Sequence, residues 1–164
     1  MTTPFPRCAH RPSGDDPSAP MLPRFDADVA RRLGDIAVNL AVRRALPIAV
    51  GIVGEALPLY YCALDGSRAS DSDAIRRRQN TVFRFGVSSL EVGEQFRRAG
   101  WSLQSQGLSD DDYALDGGGV PLRIAGGGIV GAMTIAGLDD ARDHALVVES
   151  LRWHVGANAL AMIA

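Results

Sequence analysis

The sequence predicts a mixed α/β domain in which an antiparallel sheet is covered by helices. Three observations predict it. Two pairs of β-like runs are each joined by a short turn, which makes each pair antiparallel. Amphipathic helical patterns precede, separate and follow those pairs. The length of 164 residues suits one domain able to bury a core without staples.

The elements follow in order. Residues 1–23 are rich in Pro, Ser, Asp and Gly and read as a disordered tail, leaving 24–164 as the folded domain. A first helix is expected from Asp26 to Arg44, with Asp26 as N-cap and Val29, Leu33, Ile36 and Leu40 at helical spacing. Leu46-Pro47 ends it. Ile48 to Val53 reads as a buried strand, Gly54-Glu55 as a two-residue turn and Leu57 to Leu64 as the return strand. Pro58 cannot donate a ladder hydrogen bond, so it belongs at a strand end, bulge or edge.

A second helix is expected from Asp73 to Phe85 and a third after Gly86, where Ser88 and Glu91 have capping-box spacing and Gly100 is the C-terminal glycine. Trp101 to Leu115 reads as irregular, with one helical turn capped by Ser109. Val120 to Ala125 and Ile129 to Ala136 form the second strand pair. The last helix starts near Asp139-Asp140, with His144, Val147, Val148, Leu151, Val155 and Met162 on one face and His154 on a more polar phase.

Composition excludes several functions. The balance of 17 basic and 19 acidic residues, with no basic–aromatic interleaving, argues against nucleic acid as a partner. No apolar run is long enough to span a membrane, and the first residues lack a secretory core, so a cytoplasmic protein is expected. Every basic residue is Arg, so no lysine can form a Schiff base. Cys8 and Cys62 form no metal-ligand spacing. Gly126, Gly128 and Gly131 spell a dinucleotide fingerprint, but a strand follows them where such a site needs a helix. No catalytic motif appears, and no metal site is expected.

The candidate site residues are few. Arg76, Arg77 and Arg78 fan across more than half of a helix circumference, with Asn80 one turn on. They read either as an anion-binding face or as an exposed edge paired with Asp71, Asp73 or a neighbouring subunit. Asp116, Gly117, Gly118 and Gly119 could offer backbone N–H groups to a ligand or form a flexible strand entry that permits close subunit approach. Asp116 opposes an anion there and is expected to pair with one of Arg76 to Arg78. His144 is either a metal or haem ligand or a packed histidine. The run Asp110-Asp111-Asp112 reads as a solvated loop.

The segments Ile75 to Ser89, Gly117 to Leu138 and Asp143 to Glu149 together resemble the GlcG/HbpS-like superfamily of haem-degrading or haem-binding domain proteins. Within it, the chain is most similar to an uncharacterised cytosolic branch with a yeast member. The resemblance covers Leu22 to Trp153 and implies a profilin-like, three-layer α/β/α fold with a mostly antiparallel sheet. It also implies a homo-oligomer built from dimers, haem as the candidate cofactor, and weak haem-degrading chemistry as the candidate activity. The chain departs from that branch at Ala74, where Trp is usual, at Asp116, where His is frequent, and at Val120, where an aromatic is common. Arg78 stands in place of the usual Lys. The two function classes are thus an oligomeric binder of a small anionic or carboxylate-bearing molecule, haem included, and a non-catalytic interaction scaffold.

Overall fold

The computed structural model describes residues 19–55 and 57–161. Helix α1 spans Ala27–Arg43, and Asp26 accepts the Val29 N–H as its N-cap. Strands β1 (Ala49–Gly54) and β2 (Pro58–Ala63) form the first hairpin. Helix α2 (Ala69–Phe85) and helix α3 (Ser89–Ala99) follow. Strands β3 (Gly119–Ile124) and β4 (Gly128–Ala136) form the second hairpin, and helix α4 (Asp140–Ala161) closes the order.

The two hairpins join through β1 and β4 into one antiparallel sheet of order β2-β1-β4-β3. Side chains alternate across it. Val50, Ile52, Met133, Ile135, Val120 and Leu122 share one face, where they pack with Leu33 and Ala37 of α1 and Leu146, Val147 and Leu151 of α4. The opposite face is built of small residues in register: Ala49 opposes Ala136, Gly51 opposes Thr134, and Thr134 opposes Gly119. Helix α2 lies on this face, against β4, β3 and β1. A Cβ at Gly51 would sit 2.7 Å from Cγ2 of Ile75, so the glycine sets how closely α2 approaches. The expected α/β/α layering therefore holds, with bulky aliphatics on one face and near-absent side chains on the other.

Several boundaries move. Helix α2 begins four residues before the expected Asp73, because Asp71, not Asp73, reaches back to accept the Arg68 N–H at 2.7 Å. The first hairpin connection is longer than the two residues expected at Gly54-Glu55: Gly54 stays in β1 and its N–H bonds the Leu57 carbonyl. Pro58 meets its expectation, as the first residue of an edge strand opposite a bulge at Ile52/Val53. The single turn expected at Ser109 is present: the Asp112 and Tyr113 N–H groups bond the Ser109 carbonyl at 3.2 and 3.0 Å, and Ser109 Oγ accepts the Asp111 N–H. A further 3₁₀ turn lies at Gln104–Gln106. The expected tail boundary at Pro23 falls inside the fold. Leu22 is buried and its N–H bonds the Arg123 carbonyl at 2.8 Å, covering the free edge of β3. Residues 1–18 of the expected tail, with Cys8 and His10, and Met162 of the expected α4 face lie outside the described residues.

The more polar phase read for His154 does not leave it at the surface. It is buried at 4% exposure where α4 turns against α1, with its Nε2 2.9 Å from Asn158 Nδ2. Burial holds its pKa below the ordinary value of 6.5, helped by the Arg32 and Arg24 charges. The unfolded chain then takes up this proton at a higher pH than the folded chain does. The contribution to stability is complete above pH 6.5 and is lost as pH falls through the folded value. Denaturant unfolding across this range should show a midpoint that drops on acidification, and His154→Gln should flatten that drop. An unchanged slope in the variant would show that His154 does not titrate this way.

Candidate functional site

The three consecutive arginines of α2 separate into two jobs, because successive helix positions point about 100° apart. Arg78 turns inward and is 6% exposed. Its Nη1 donates to the Ile135 carbonyl at 2.8 Å and to Asp143 Oδ2 at 2.9 Å. Asp143 is fully buried, and its other oxygen accepts the Leu138 N–H at 3.0 Å. Burial pushes the Asp143 carboxyl up from its usual range, while the Arg78 guanidinium and the Leu138 N–H oppose that rise. One ion pair thus ties α2, the end of β4 and the first turn of α4.

The glycine run belongs to this same junction. Gly117, Gly118 and Gly119 are all buried. Gly118 has φ +125°, and a Cβ there would collide with the Ile135 carbonyl and lie 2.7 Å from Arg78 Nη1. A Cβ on Gly117 would collide with the Asp140 carbonyl. The Gly119 N–H donates to Ser89 Oγ at 3.0 Å. These glycines let three elements meet at backbone distance.

Arg76 and Arg77 take the second job. Asp73 pairs with Arg76 Nη2 at 3.0 Å and with Arg77 Nε at 2.8 Å. The hydrogen bond from Arg76 holds the Asp73 carboxyl below its usual range, with Arg77 adding to the effect. Both arginines also reach across to the acidic loop. Arg76 bonds the Asp111 carbonyl and lies 3.4 Å from Asp112 Oδ1, and Arg77 Nη1 bonds the Asp110 carbonyl at 3.4 Å. Asn80 Nδ2 donates to the Asp112 carbonyl at 2.8 Å, and Thr81 Oγ1 both donates to the Ala114 carbonyl and accepts its N–H. The edge of α2 is a clamp on residues 110–114, so the loop read as solvated is held in place.

The structure therefore brings Arg78 to the glycines and Arg76, Arg77 and Asn80 to the acidic loop. It does not bring Asp116 to an arginine: Asp116 is exposed, and among the described residues no Arg pairs with it. The expected Asp116 pair fails because Arg78 is taken by Asp143 and its two neighbours by Asp73 and the loop. His144 sits beside Asp143 in the first turn of α4, partly buried. Sequence reasoning missed Asp143, Thr81 and Ser89. Asp143 carried a signal, a carboxylate in the first turn of an apolar helix, but its partner lies 65 residues away. Among the described residues, no cluster of three or more His, Cys, Asp or Glu could hold a metal ion.

This mixed α/β layering is shared with known proteins. The chain belongs to the HbpS-like family: the family model described as "Haem degrading protein HbpS-like" matches residues 25–152. A UPF0303 protein of Zymomonas mobilis is 39% identical over 139 residues, covering 84% of this chain and 75% of the relative. A UPF0303 protein of Streptomyces coelicolor is 43% identical over 135 residues, covering 81% and 85%. The crystal structure of the Ybr137w protein superposes with a TM-score of 0.74 at 26% identity, covering 82% of this chain and 81% of that one. A PduOC:haem complex shares the fold with a TM-score of 0.67 at 17% identity, covering 78% and 93%.

The junction makes a prediction. Asp143→Ala leaves Arg78 buried and uncompensated, which should cost about 3–5 kcal/mol in denaturant unfolding. Replacing both partners with apolar residues, Arg78→Met with Asp143→Leu, should recover most of that loss. A cost for the double variant equal to the sum of the single ones would mean the two side chains do not act as a pair.

Proposed function

We propose that this protein binds a small carboxylate-bearing molecule, with haem as the ligand its family relationship supports. The observation that carries the reading is the HbpS-like match across residues 25–152, joined by a fold shared with a haem complex. The donors this chain offers fit such a ligand. His144 is a partly buried imidazole, and Arg76 and Arg77 are guanidiniums at the exposed edge of α2. The Gly117–Gly119 entry fits differently from its sequence reading: it holds α2 and α4 together. Asp116 stays outside, as a carboxylate that would repel an incoming acid.

Haem, when bound, supplies a redox-active iron. His144 would be the residue to hold the iron through a ring nitrogen, and Arg76, Arg77 and Asn80 would hold the carboxylates. Those contacts exchange with Asp73 and the Asp110–Asp112 carbonyls that the same groups hold in the free protein. No catalytic step is assigned to any residue. A cytoplasmic setting belongs to the same reading, supported by the free thiol of Cys62. No helix among the described residues is long and apolar enough to cross a membrane.

A second reading has its own support. The outer face of α4 exposes Trp153 at 60% and Leu160 at 72%, around an apolar hollow of about 660 Å³ that Gly156 and Ala157 also line. A contiguous apolar face of this kind favours burial against another chain. It supports a homo-oligomer in the first instance and a non-catalytic interaction scaffold as the alternative function.

A haem titration of the full chain, with light scattering on the same samples, separates the two. The ligand-binding reading predicts a Soret shift that saturates stoichiometrically and is lost in His144→Ala. Arg76→Ala and Arg77→Ala should each weaken it measurably, by less than a free cation would, because the contacts are exchanged. Non-saturating binding, equal in all four proteins, would overturn it in favour of the scaffold.

A further inference from the structure

A second pocket lies on the other side of the sheet from α2, where the segment before α1 meets the last turns of α4. It encloses about 240 Å³. That is below the roughly 300–1,000 Å³ of sites for drug-sized ligands and too small for a porphyrin. Its wall is divided by chemistry. Pro23, Val29 and Ala161 give an apolar side. Arg24 and Arg32 give two guanidiniums, and His154 with Asn158 gives a polar side.

The charge balance in the pocket is positive. Arg24 meets Asp26 through Nη1 at 2.8 Å, and Arg32 meets Asp28 through Nε at 2.9 Å. Neither carboxylate lines the pocket. Each is also shared: Asp26 Oδ1 caps α1 through the Val29 N–H, and Asp28 pairs with Arg31 as well. A guanidinium carries five N–H donors in a planar fork, so each arginine keeps donors to spare. His154 is 4% exposed and held neutral by burial and by both arginines. The Asn158 amide faces its Nε2 at 2.9 Å. The two arginines and the imidazole thus disfavour any further positive charge and favour a negative one.

We propose that this pocket binds a short aliphatic carboxylate, its head group between Arg24 and Arg32 and its carbon chain against Pro23, Val29 and Ala161. The guanidinium forks match a planar carboxylate. The apolar wall distinguishes an acid with a carbon chain from a bare oxyanion. Binding is coupled to His154. The groups facing the ring are Arg24 from the segment before α1, Arg32 from α1 and Asn158 from α4, with Asp26 and Asp28 behind the arginines. An anion between those arginines removes the repulsion that they exert on an imidazolium. The bound form therefore takes up a proton on His154 more readily, and by linkage the acid binds more tightly as pH falls.

The test is a titration of the full chain with butyrate, followed by the His154 ring C–H signals in proton NMR and assigned against His154→Gln. The expected result is a saturable shift whose apparent affinity rises between about pH 7.5 and about pH 6. Arg24→Ala and Arg32→Ala should each weaken it about ten-fold or more, and Arg32→Lys less than Arg32→Ala. Arg77→Ala should leave it unchanged. Both arginines are more than half exposed, so these variants keep the fold. No saturable shift, or an equal shift in the Arg24→Ala/Arg32→Ala double variant, would overturn the site. Inorganic phosphate binding as tightly as butyrate would overturn the assignment to an aliphatic acid. The pocket shares no residue with the haem reading, so either can fail alone.

Discussion

The structure depends on a buried ion pair. Arg78 and Asp143 come from helices on opposite faces of the sheet, and they meet at the end of β4. Taking both charges out of water costs several kcal/mol each before compensation. The compensation is specific: the Ile135 carbonyl takes one guanidinium proton, and the Leu138 N–H serves the second carboxylate oxygen. Arg78 Nε remains buried with no partner, so compensation is incomplete. A junction of this kind contributes more to uniqueness than to net stability. It ties the start of α4 to α2, and the Gly117–Gly119 backbone passes beside the pair where an added Cβ on Gly117 or Gly118 would collide with neighbouring carbonyls.

That constraint reassigns the arginine triplet. Three neighbouring guanidiniums look like one anion site in sequence, but a helix separates them in space. Arg78 is spent on the fold. Arg76 and Arg77 remain at the surface, already holding Asp73 and the Asp110–Asp112 loop. A ligand carboxylate at this edge must displace those contacts, so affinity there reflects an exchange and not a free cation pair. The pocket between α1 and α4 differs in that its arginines keep their carboxylates outside the cavity.

Much of the fold was legible because local signals agreed. The caps Asp26 and Ser88, the C-terminal Gly100 and the β-like runs of β1 and β4 each fix an element through neighbours in sequence. Pro58 told its own place, since a missing donor is tolerated only at an edge or a bulge. What could not be read depended on distant partners. Asp71 looked like one acid among several in a Ser/Asp loop until its burial made it the start of α2. Leu22 looked like part of a tail because the β3 edge that it covers, at Ile124, lies far along the sequence. His154 read as lying on a more polar phase, and its burial was missed because α1, which packs against α4, lies at the other end of the chain. The candidate site was half legible: Asp73 was read among the partners of the arginines and does pair with Arg76 and Arg77, but Asp143 for Arg78 and the acidic-loop carbonyls for Arg76 and Arg77 were missed.

The division of labour among the arginines is the central claim, and arginine-selective ¹⁵N NMR of the intact protein tests it directly. With Arg78 assigned by its absence in Arg78→Lys, its guanidinium N–H signals should exchange slowly with solvent and stay in place when haem is added. The signals of Arg76 and Arg77 should exchange fast and respond to the same addition. Fast exchange at Arg78, or a haem-dependent shift there in place of Arg76 and Arg77, would contradict the account.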